Sequence, residues 1–328
     1  DFITAPQISP LFSKCLASQC LQIMDDFKEA TILELGAGTG VMAKDLLLDL
    51  GEHNSLPKKY YILEVSADLK IRQQKLLKRA IPEYIDNIIW LDCLPEKKFK
   101  GLVLANEVLD ALPVKRFKKE SNLFKEVKVT VSDNNFCWID TIANVELVDT
   151  LTKLEGKLSA PFPDNYHSEI NINLKMWLDS IQSSIEKGVI LFIDYGYTMP
   201  DYYHPEKFDG NLSCYYRHRV HSDPFFYPGL QDITTSVDFT SVAHYAKKIG
   251  LNINGFTNQV YFLFGCGLDN LVPDMNSLDT KSQIKLSQEL RTLTMPDEMG
   301  ERFKFMALTK EYDKELLGFS KMNQKNKL

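Results

Sequence analysis

The sequence has no C-x-x-C pair, and its six cysteines, at 15, 20, 93, 137, 214 and 266, have no histidine set beside them at zinc spacing. That argues against a disulfide framework and a structural metal, and for reduced, mostly buried thiols in a cytosol-like compartment. No apolar run approaches the roughly 18 residues that a membrane-spanning helix requires. An excess of positive charge is missing as well. The 38 Lys and Arg stand against 44 Asp and Glu, a formal charge of -6, so the chain as a whole offers no attraction to a phosphate backbone and no nucleic-acid partner is expected. There is no internal repeat and no initiating Met. The chain opens Asp1-Phe2-Ile3-Thr4, so targeting is not readable from its start and a truncated N-terminus is the expectation.

What is present suits a globular protein of 328 residues, 44% apolar and 25% charged, with one large domain and a smaller inserted one. Residues 11–28 carry apolar side chains at helical spacing. The run 31–35, a set of glycines and a helix over 41–50 then follow in the order of a βαβ unit, and the pattern repeats with strands at 59–64, 88–91 and 101–105 and a basic helix over 67–79. Because these runs are apolar without clean alternation, they predict a parallel sheet covered on both faces, an α/β Rossmann-like core.

From 114 the character changes. Segments 123–131 and 135–142, joined by Ser132-Asp133-Asn134-Asn135, predict a hairpin, and 149–168 reads as irregular. A helix over 170–186 and the most apolar strand, 189–193, return the path to the sheet. The stretch 196–235 reads as a long ordered loop, followed by a helix over 238–248, a strand at 260–264, helices at 281–292 and 297–303, and a fraying tail at 321–328. The expected organisation is a first part of the core (1–113), an inserted hairpin and irregular segment forming a smaller lobe (114–168), the rest of the core with an acceptor-side loop (169–268), and a helical C-terminal segment (269–328).

The central motif is Glu34-Leu35-Gly36-Ala37-Gly38-Thr39-Gly40. Gly36, Gly38 and Gly40 permit a tight turn and close approach of backbone to ligand, a device that dinucleotide sites share. Glu34, two residues before the first glycine, favours a cationic ligand over a phosphate, and so S-adenosyl-L-methionine, which has a sulfonium and an amino-acid head. Glu64 ends the second strand where a carboxylate can accept ribose hydroxyls, Asp92 ends the third where it can meet an adenine edge, and Asn106 ends the fourth. The weaker competing readings are a helix or turn cap for Asp92 and a purely structural acid for Glu34.

Glu107 and Asp110 follow at a spacing that puts them on one helical face, either by chance at the surface or as partners for a guanidinium, whose planar fork carboxylates match. Glu169 is a weaker candidate of the same kind. Asp194 and Tyr195 end the apolar strand and complete the catalytic candidates. Beyond them Tyr215, Tyr216, Arg217 and Arg219 fit either an acceptor channel or structural ties within a long loop, and Asp232 and Thr234 fit either that channel or a cap on the helix near Asp238. His218, His221 and Asp223 lack a cysteine partner, and methyl transfer needs no metal, so none is expected.

The segments DFITAPQIS (1–9), ILELGAGTG (32–40), LANEVLDALPVKRF (104–117), LFIDYGY (191–197) and YYRHRVHSDPFFYPGLQDITTSVDF (215–239) resemble the MidA-like methyltransferases, over residues 1 to about 268. That group includes the mitochondrial complex I assembly factor that symmetrically dimethylates an arginine in the 49 kDa subunit. The resemblance implies a Rossmann-like methyltransferase core with a smaller lobe, a donor held at Gly36, Gly38, Gly40 and Glu64, and a protein substrate, with the 49 kDa-type complex I subunit as candidate and a homodimer left open. It implies the mitochondrial matrix in a eukaryote and the cytoplasm in a bacterium. The family's Glu is replaced here by Gln7, which would shift charge-bearing onto Glu107 or Asp110. Transfer to a small molecule or nucleic acid, and a non-enzymatic assembly role that keeps the donor pocket, are the competing readings.

Overall fold

The structure, a computed structural model, describes residues 4–217 and 219–328. Its strands are β1 (Thr31–Leu35), β2 (Lys59–Leu63), β3 (Ile88–Leu91), β4 (Phe99–Asn106), β5 (Lys115–Glu120), β6 (Leu123–Ser132), β7 (Asn135–Ile142), β8 (Tyr166–Ile170), β9 (Ile185–Tyr197), β10 (Leu212–Tyr216), β11 (Arg219–His221), β12 (Asp232–Thr235), β13 (Val237–Asp238), β14 (Asn252–Asn258) and β15 (Phe303–Lys310). The central sheet runs β14-β15-β9-β4-β1-β2-β3, with β13 added beside β9.

Strands β3, β2, β1, β4 and β9 are mutually parallel. β15 inserts antiparallel between β9 and β14. The wholly parallel sheet expected from the sequence is therefore mixed at one edge. The reason lies in residues 303–310 (FKFMALTK), of which only Phe303 fell in an expected helix (297–303) and the rest had no expected element, and which form a strand buried on both faces. Neighbouring residues of each central strand feed opposite cores, as the two-residue period of a strand demands. Ile32, Leu102, Leu104, Val189 and Leu191 pack on one side with the helices Pro10–Met24 and Val41–Glu52. Leu33, Val103, Ile190 and Phe192 pack on the other with Leu174–Ser184 and Phe239–Lys248.

A four-stranded antiparallel sheet, β7-β6-β5-β8, has its own core, in which Phe117, Phe124, Phe162 and Tyr166 meet Leu147, Leu151 and Leu154. Those leucines lie on the helix Val145–Glu155, started by the Asn144 side chain accepting from the Leu147 N–H, where an irregular segment was expected. The long loop is also more structured than its composition suggests, because β11-β10-β12 form a three-stranded sheet within it. The run VYFLF, expected as a strand, lies in the helix Gln259–Gly265 and buries Phe262 and Leu263. An unbroken apolar run does not distinguish the two periods. The tail does not fray. Gln324 donates its N–H to the Phe256 carbonyl (2.6 Å), and Leu328 packs against the core beneath the sheet.

β1 has β2 on one side and β4 on the other, so the chain direction switches at β1 and opens a crevice at the strands' carboxyl ends. The contact of β1 with β4 is close at Gly101, where φ is +139° and a Cβ would lie 2.1 Å from the Thr31 carbonyl oxygen. Gly101→Ala is expected to destabilise the fold by roughly 2 kcal/mol or more, read as a lower thermal unfolding midpoint. An unchanged midpoint would contradict this packing.

Candidate active site

The turn after β1 takes a form that favours glycine: Gly36, Gly38 and Gly40 have φ of 63°, 54° and 82°. At Gly38 a Cβ would meet nothing within 4 Å, so the backbone there borders open space. That space is a cavity of about 390 Å³, bordered by Gly36, Gly38 and Thr39 of the turn, by Glu34, by Asn106 and Glu107 after β4, by Gln7, and by Asp232. Its size suits a small organic ligand.

Glu34 is almost fully buried in β1, and its Oε2 accepts from the Tyr60 hydroxyl at 2.7 Å. Burial pushes its pKa up to about 7, opposed by the Tyr60 hydrogen bond and assisted by the Glu64 charge. Glu64 is not among the cavity's bordering residues but is tied to the turn by Gln73. Its Oε1 accepts from the Ser66 N–H (3.0 Å) and its Oε2 from Gln73 Nε2 (2.9 Å). The same Gln73 nitrogen donates to the Gly38 carbonyl (2.8 Å), and Gln73 Oε1 accepts from the Trp90 indole (3.1 Å). Gln73 is fully buried and uses both ends of its amide, so it ties the glycine turn to Glu64. Gln7 Nε2 donates to Thr39 Oγ1 (3.2 Å), touching the turn from the N-terminal segment.

Asp92 is placed differently. Its side chain is 89% exposed and pairs with Lys70 at 2.7 Å, away from the cavity's border. Gly40 heads the helix Val41–Glu52 as its N-terminal cap. Thr4 through Ser9 of the opening segment are described, whereas Asp1, Phe2 and Ile3, and His218 of the histidine pair, lie outside the described residues.

Past β4 the backbone turns sharply. Glu107 has φ of +53°, a conformation that costs a side-chain-bearing residue energy, and its N–H is held by the Ile193 carbonyl at 2.8 Å. Asp194, buried at the end of β9, fixes the following loop by accepting the N–H groups of Leu109 (3.0 Å) and Asp110 (3.1 Å). Tyr195 donates its hydroxyl to Asp110 Oδ2 at 2.7 Å, and Asp110 Oδ1 has no well-formed hydrogen bond. Asn106 Oδ1 is also buried without a partner.

Three carboxyl groups thus gather with no lysine or arginine paired to them among the described residues. Burial, with Asp110 beside it, pushes Glu107 up to about 8, against the hydrogen bond from Asn106. Burial raises Asp110 to about 6, against the Tyr195 hydroxyl. Burial next to Asp110 and Glu107 lifts Asp194 well above the usual carboxylate range, opposed by its backbone N–H partners. Asp194 is satisfied by backbone N–H groups, whereas the outer acids of this group have no cationic partner among the described residues.

Glu169 is not part of this cluster. It is fully buried at the small sheet, 3.5 Å from Arg116 Nε and accepting from the Asn211 N–H at 2.7 Å. Asp232 sits in β12 at the cavity, and the cap of the helix Phe239–Lys248 is supplied by Asp238 instead. Gln73 and Tyr60 were missed by sequence reasoning. No motif marks Gln73, but Tyr60 could have been found, since it pairs with Ile32 in a strand beside Glu34.

The Tyr60 hydrogen bond gives the site a measurable signature. Tyr60→Phe removes the one effect that holds Glu34 down, so the Glu34 carboxyl carbon, titrated by NMR, is expected to move from a midpoint near 7 to a higher one. A midpoint unchanged, or at an ordinary carboxylate value, would contradict the buried pair.

The cavity's one bordering arginine, Arg72, is already paired with Asp68 at 2.7 Å, so the walls suit a cation better than a phosphate. The comparisons agree. A Burkholderia thailandensis protein whose crystal structure holds S-adenosyl-homocysteine is 33% identical, with a TM-score of 0.91 over 100% of this chain and 84% of that one. The mitochondrial protein arginine methyltransferase NDUFAF7 of Danio rerio is 25% identical over 94% of this chain and 76% of its own length, and that of Homo sapiens is 26% identical over 94% and 73%. The family model described as "Putative S-adenosyl-L-methionine-dependent methyltransferase" matches residues 15–257. With its Rossmann-like sheet, its glycine turn and this match, the chain belongs to that S-adenosyl-L-methionine-dependent methyltransferase family.

Proposed function

We propose that the chain methylates an arginine of a protein substrate, with the 49 kDa-type subunit of respiratory complex I as that substrate. The observation that carries this reading is the trio Glu107, Asp110 and Asp194, buried together with no lysine or arginine paired to them among the described residues. A guanidinium offers five N–H donors in a plane and one delocalised charge, and it answers the acceptors left at Asn106 Oδ1 and Asp110 Oδ1. The name of the NDUFAF7 relatives supports the same acceptor. The compartment follows the acceptor: the mitochondrial matrix in a eukaryotic cell, the cytoplasm in a bacterial one.

S-adenosyl-L-methionine supplies a methyl carbon already activated by its sulfonium. The donor is assigned to Glu34, Gly36, Gly38, Gly40, Asn106 and the Glu64 that Gln73 fixes, with Asp92 at the outer end of the base side. Glu107 and Asp110 hold the acceptor guanidinium and orient one nitrogen. Glu107 takes the proton that this nitrogen gives up, a role for which its raised pKa fits it. Asp194 is a positioning residue, because its contacts are to backbone N–H groups of the loop that presents Asp110. Tyr195 keeps one Asp110 oxygen occupied so that the other faces the acceptor's demand.

The sign of the pH dependence follows. A carboxyl raised to about 8 is protonated below that pH in the free protein and must ionise to receive a cation, so kcat/KM for the acceptor is expected to climb from pH 6 to about 8 and then level off. The same shift makes the free protein's Glu107 contribution to stability greatest below the ordinary glutamate value and lost as pH rises through about 8. Glu107→Gln is expected to lower kcat/KM by about a hundredfold or more, abolish the climb, and leave S-adenosyl-homocysteine affinity within about threefold. The assay is labelled methyl transfer to the purified 49 kDa-type subunit, with the modified residue located by mass spectrometry. A flat profile in the unmodified enzyme, or label on a residue other than arginine, would overturn the reading.

A further inference from the structure

A second cavity, of about 250 Å³, lies on the other side of Tyr195 from the acid cluster and has the opposite charge. Tyr195, Tyr215, Ser213 and Ser236 border it together with Lys207 and Arg302. The two cavities share a wall. Tyr195, which borders the second, donates to Asp110 of the acid cluster, and Tyr215, which borders the second, is paired across β10–β12 with Asp232, which borders the first. Burial raises the Tyr215 phenol above its ordinary value, the Arg302 charge opposes that rise, and the Asp110 and Glu107 charges add to it. The phenol is thus within reach of the fields of both the Arg302 cation and the two acids.

Neither cation has an anionic partner at salt-bridge distance among the described residues. Arg302 is exposed at the start of β15, and its guanidinium makes no ion pair there. The Lys207 ammonium is buried without a hydrogen bond and rests 3.2 Å from the centre of the Tyr197 ring. Burial lowers its pKa to about 8, against the more distant charge of Asp201. An aromatic face holds an ammonium by about 1–2 kcal/mol without consuming its three N–H donors, which stay available to an anion. In a chain of net charge -6, two unanswered cations beside a cluster of unanswered acids form a dipolar pair of sites.

We infer that the Lys207–Arg302 cavity is an anion subsite that takes a carboxylate belonging to the methyl acceptor. Its volume lies below that of a site for a whole drug-sized ligand and fits a side-chain group. Two cations and flanking hydroxyls match a carboxylate's two oxygens. The assignment rests on the acid cluster's being the seat of the acceptor guanidinium. It adds a selection rule, that a favoured acceptor carries an acid within reach of its methylated residue. That carboxylate is either a neighbouring acidic side chain or the acceptor's own α-carboxylate.

Two capped probes, N-acetyl-glutamate amide and N-acetyl-arginine amide, separate the two sites when titrated by NMR against the full chain with S-adenosyl-homocysteine present. The double variant Lys207→Gln/Arg302→Gln is expected to bind the glutamate probe about tenfold more weakly and the arginine probe within about twofold, and Glu107→Gln to do the reverse. Equal glutamate-probe affinity in the unmodified chain and the double variant, or no binding of that probe to either, overturns the subsite. Failure of the arginine probe to bind the unmodified chain while the glutamate probe binds counts against the acceptor reading and not against the anion subsite. Arginine-centred capped peptides with one glutamate moved along the sequence, set against free L-arginine, then identify the source. A drop in KM of about fivefold or more at one glutamate offset, absent in the double variant, assigns a side chain; the same gain for free L-arginine over its capped form assigns the α-carboxylate. No gain in either series overturns the link to the acceptor.

Discussion

Four carboxyl groups buried near the carboxyl ends of parallel strands, with no lysine or arginine paired to them among the described residues, set the terms for the rest of this molecule. Glu34, Glu107, Asp110 and Asp194 lie within the core or at its mouth, where an ionised carboxylate is strongly disfavoured. Structural burial of acids is ordinarily resolved by a nearby Arg or Lys, as Arg116 does for Glu169 in the same chain. Here burial raises the proton affinity of each carboxyl instead, so the groups are poised to exchange protons for a positively charged guest. On the proposed function, which brings a sulfonium up to a guanidinium, there are two such guests, and the unfavourable state of the free protein is one that they would relieve.

Holding the acids in place requires the surrounding scaffold to be rigid, and two polar residues supply most of that rigidity. Gln73 joins the glycine turn to Glu64 and is itself held by Trp90, so turn, second strand and third strand move as one piece. Asp194 joins the end of β9 to the loop after β4 through two backbone N–H groups, and the left-handed Glu107 is tied to β9 as well. Asn106 and Glu107 border the same cavity as Glu34 and the glycine turn, and in the proposed function they are where the donor and acceptor sides meet.

The core of this arrangement was legible in the residues because it depends on local chemistry. Glycines that must adopt positive φ, an acid two residues before them, and a polar cluster after an apolar strand are all short-range signals, and the structure brings Glu34, Gly36, Gly38, Asn106 and Glu107 to one cavity. What failed depended on long-range context. The strand at 303–310 is buried by β9 and β14, neither of which is near it in sequence, and FKFMALTK carries no turn signal of its own. VYFLF reads as strand by composition, yet it packs Phe262 on Phe305 at 3.8 Å as part of a helix. The pairing of Asp92 with Lys70 is a side-chain choice that the strand pattern does not encode, and a part for Asp92 in donor binding remains with the proposed function. Gln73 was invisible for the opposite reason: it sits on the basic helix Ala67–Ala80, among solvent-facing residues, and is distinguished only by what it meets.

The central claim is that a cation entering the main cavity displaces protons from buried carboxyls, and calorimetry of donor binding at pH 6.5 in buffers of different ionisation enthalpy tests it most directly. With Glu34 near 7 and Glu107 near 8, the sulfonium-bearing S-adenosyl-L-methionine is expected to bind with release of more than about half a proton, and the uncharged-sulfur product S-adenosyl-homocysteine with less. Binding of both compounds with the same proton count, or no uptake of either, would contradict the account.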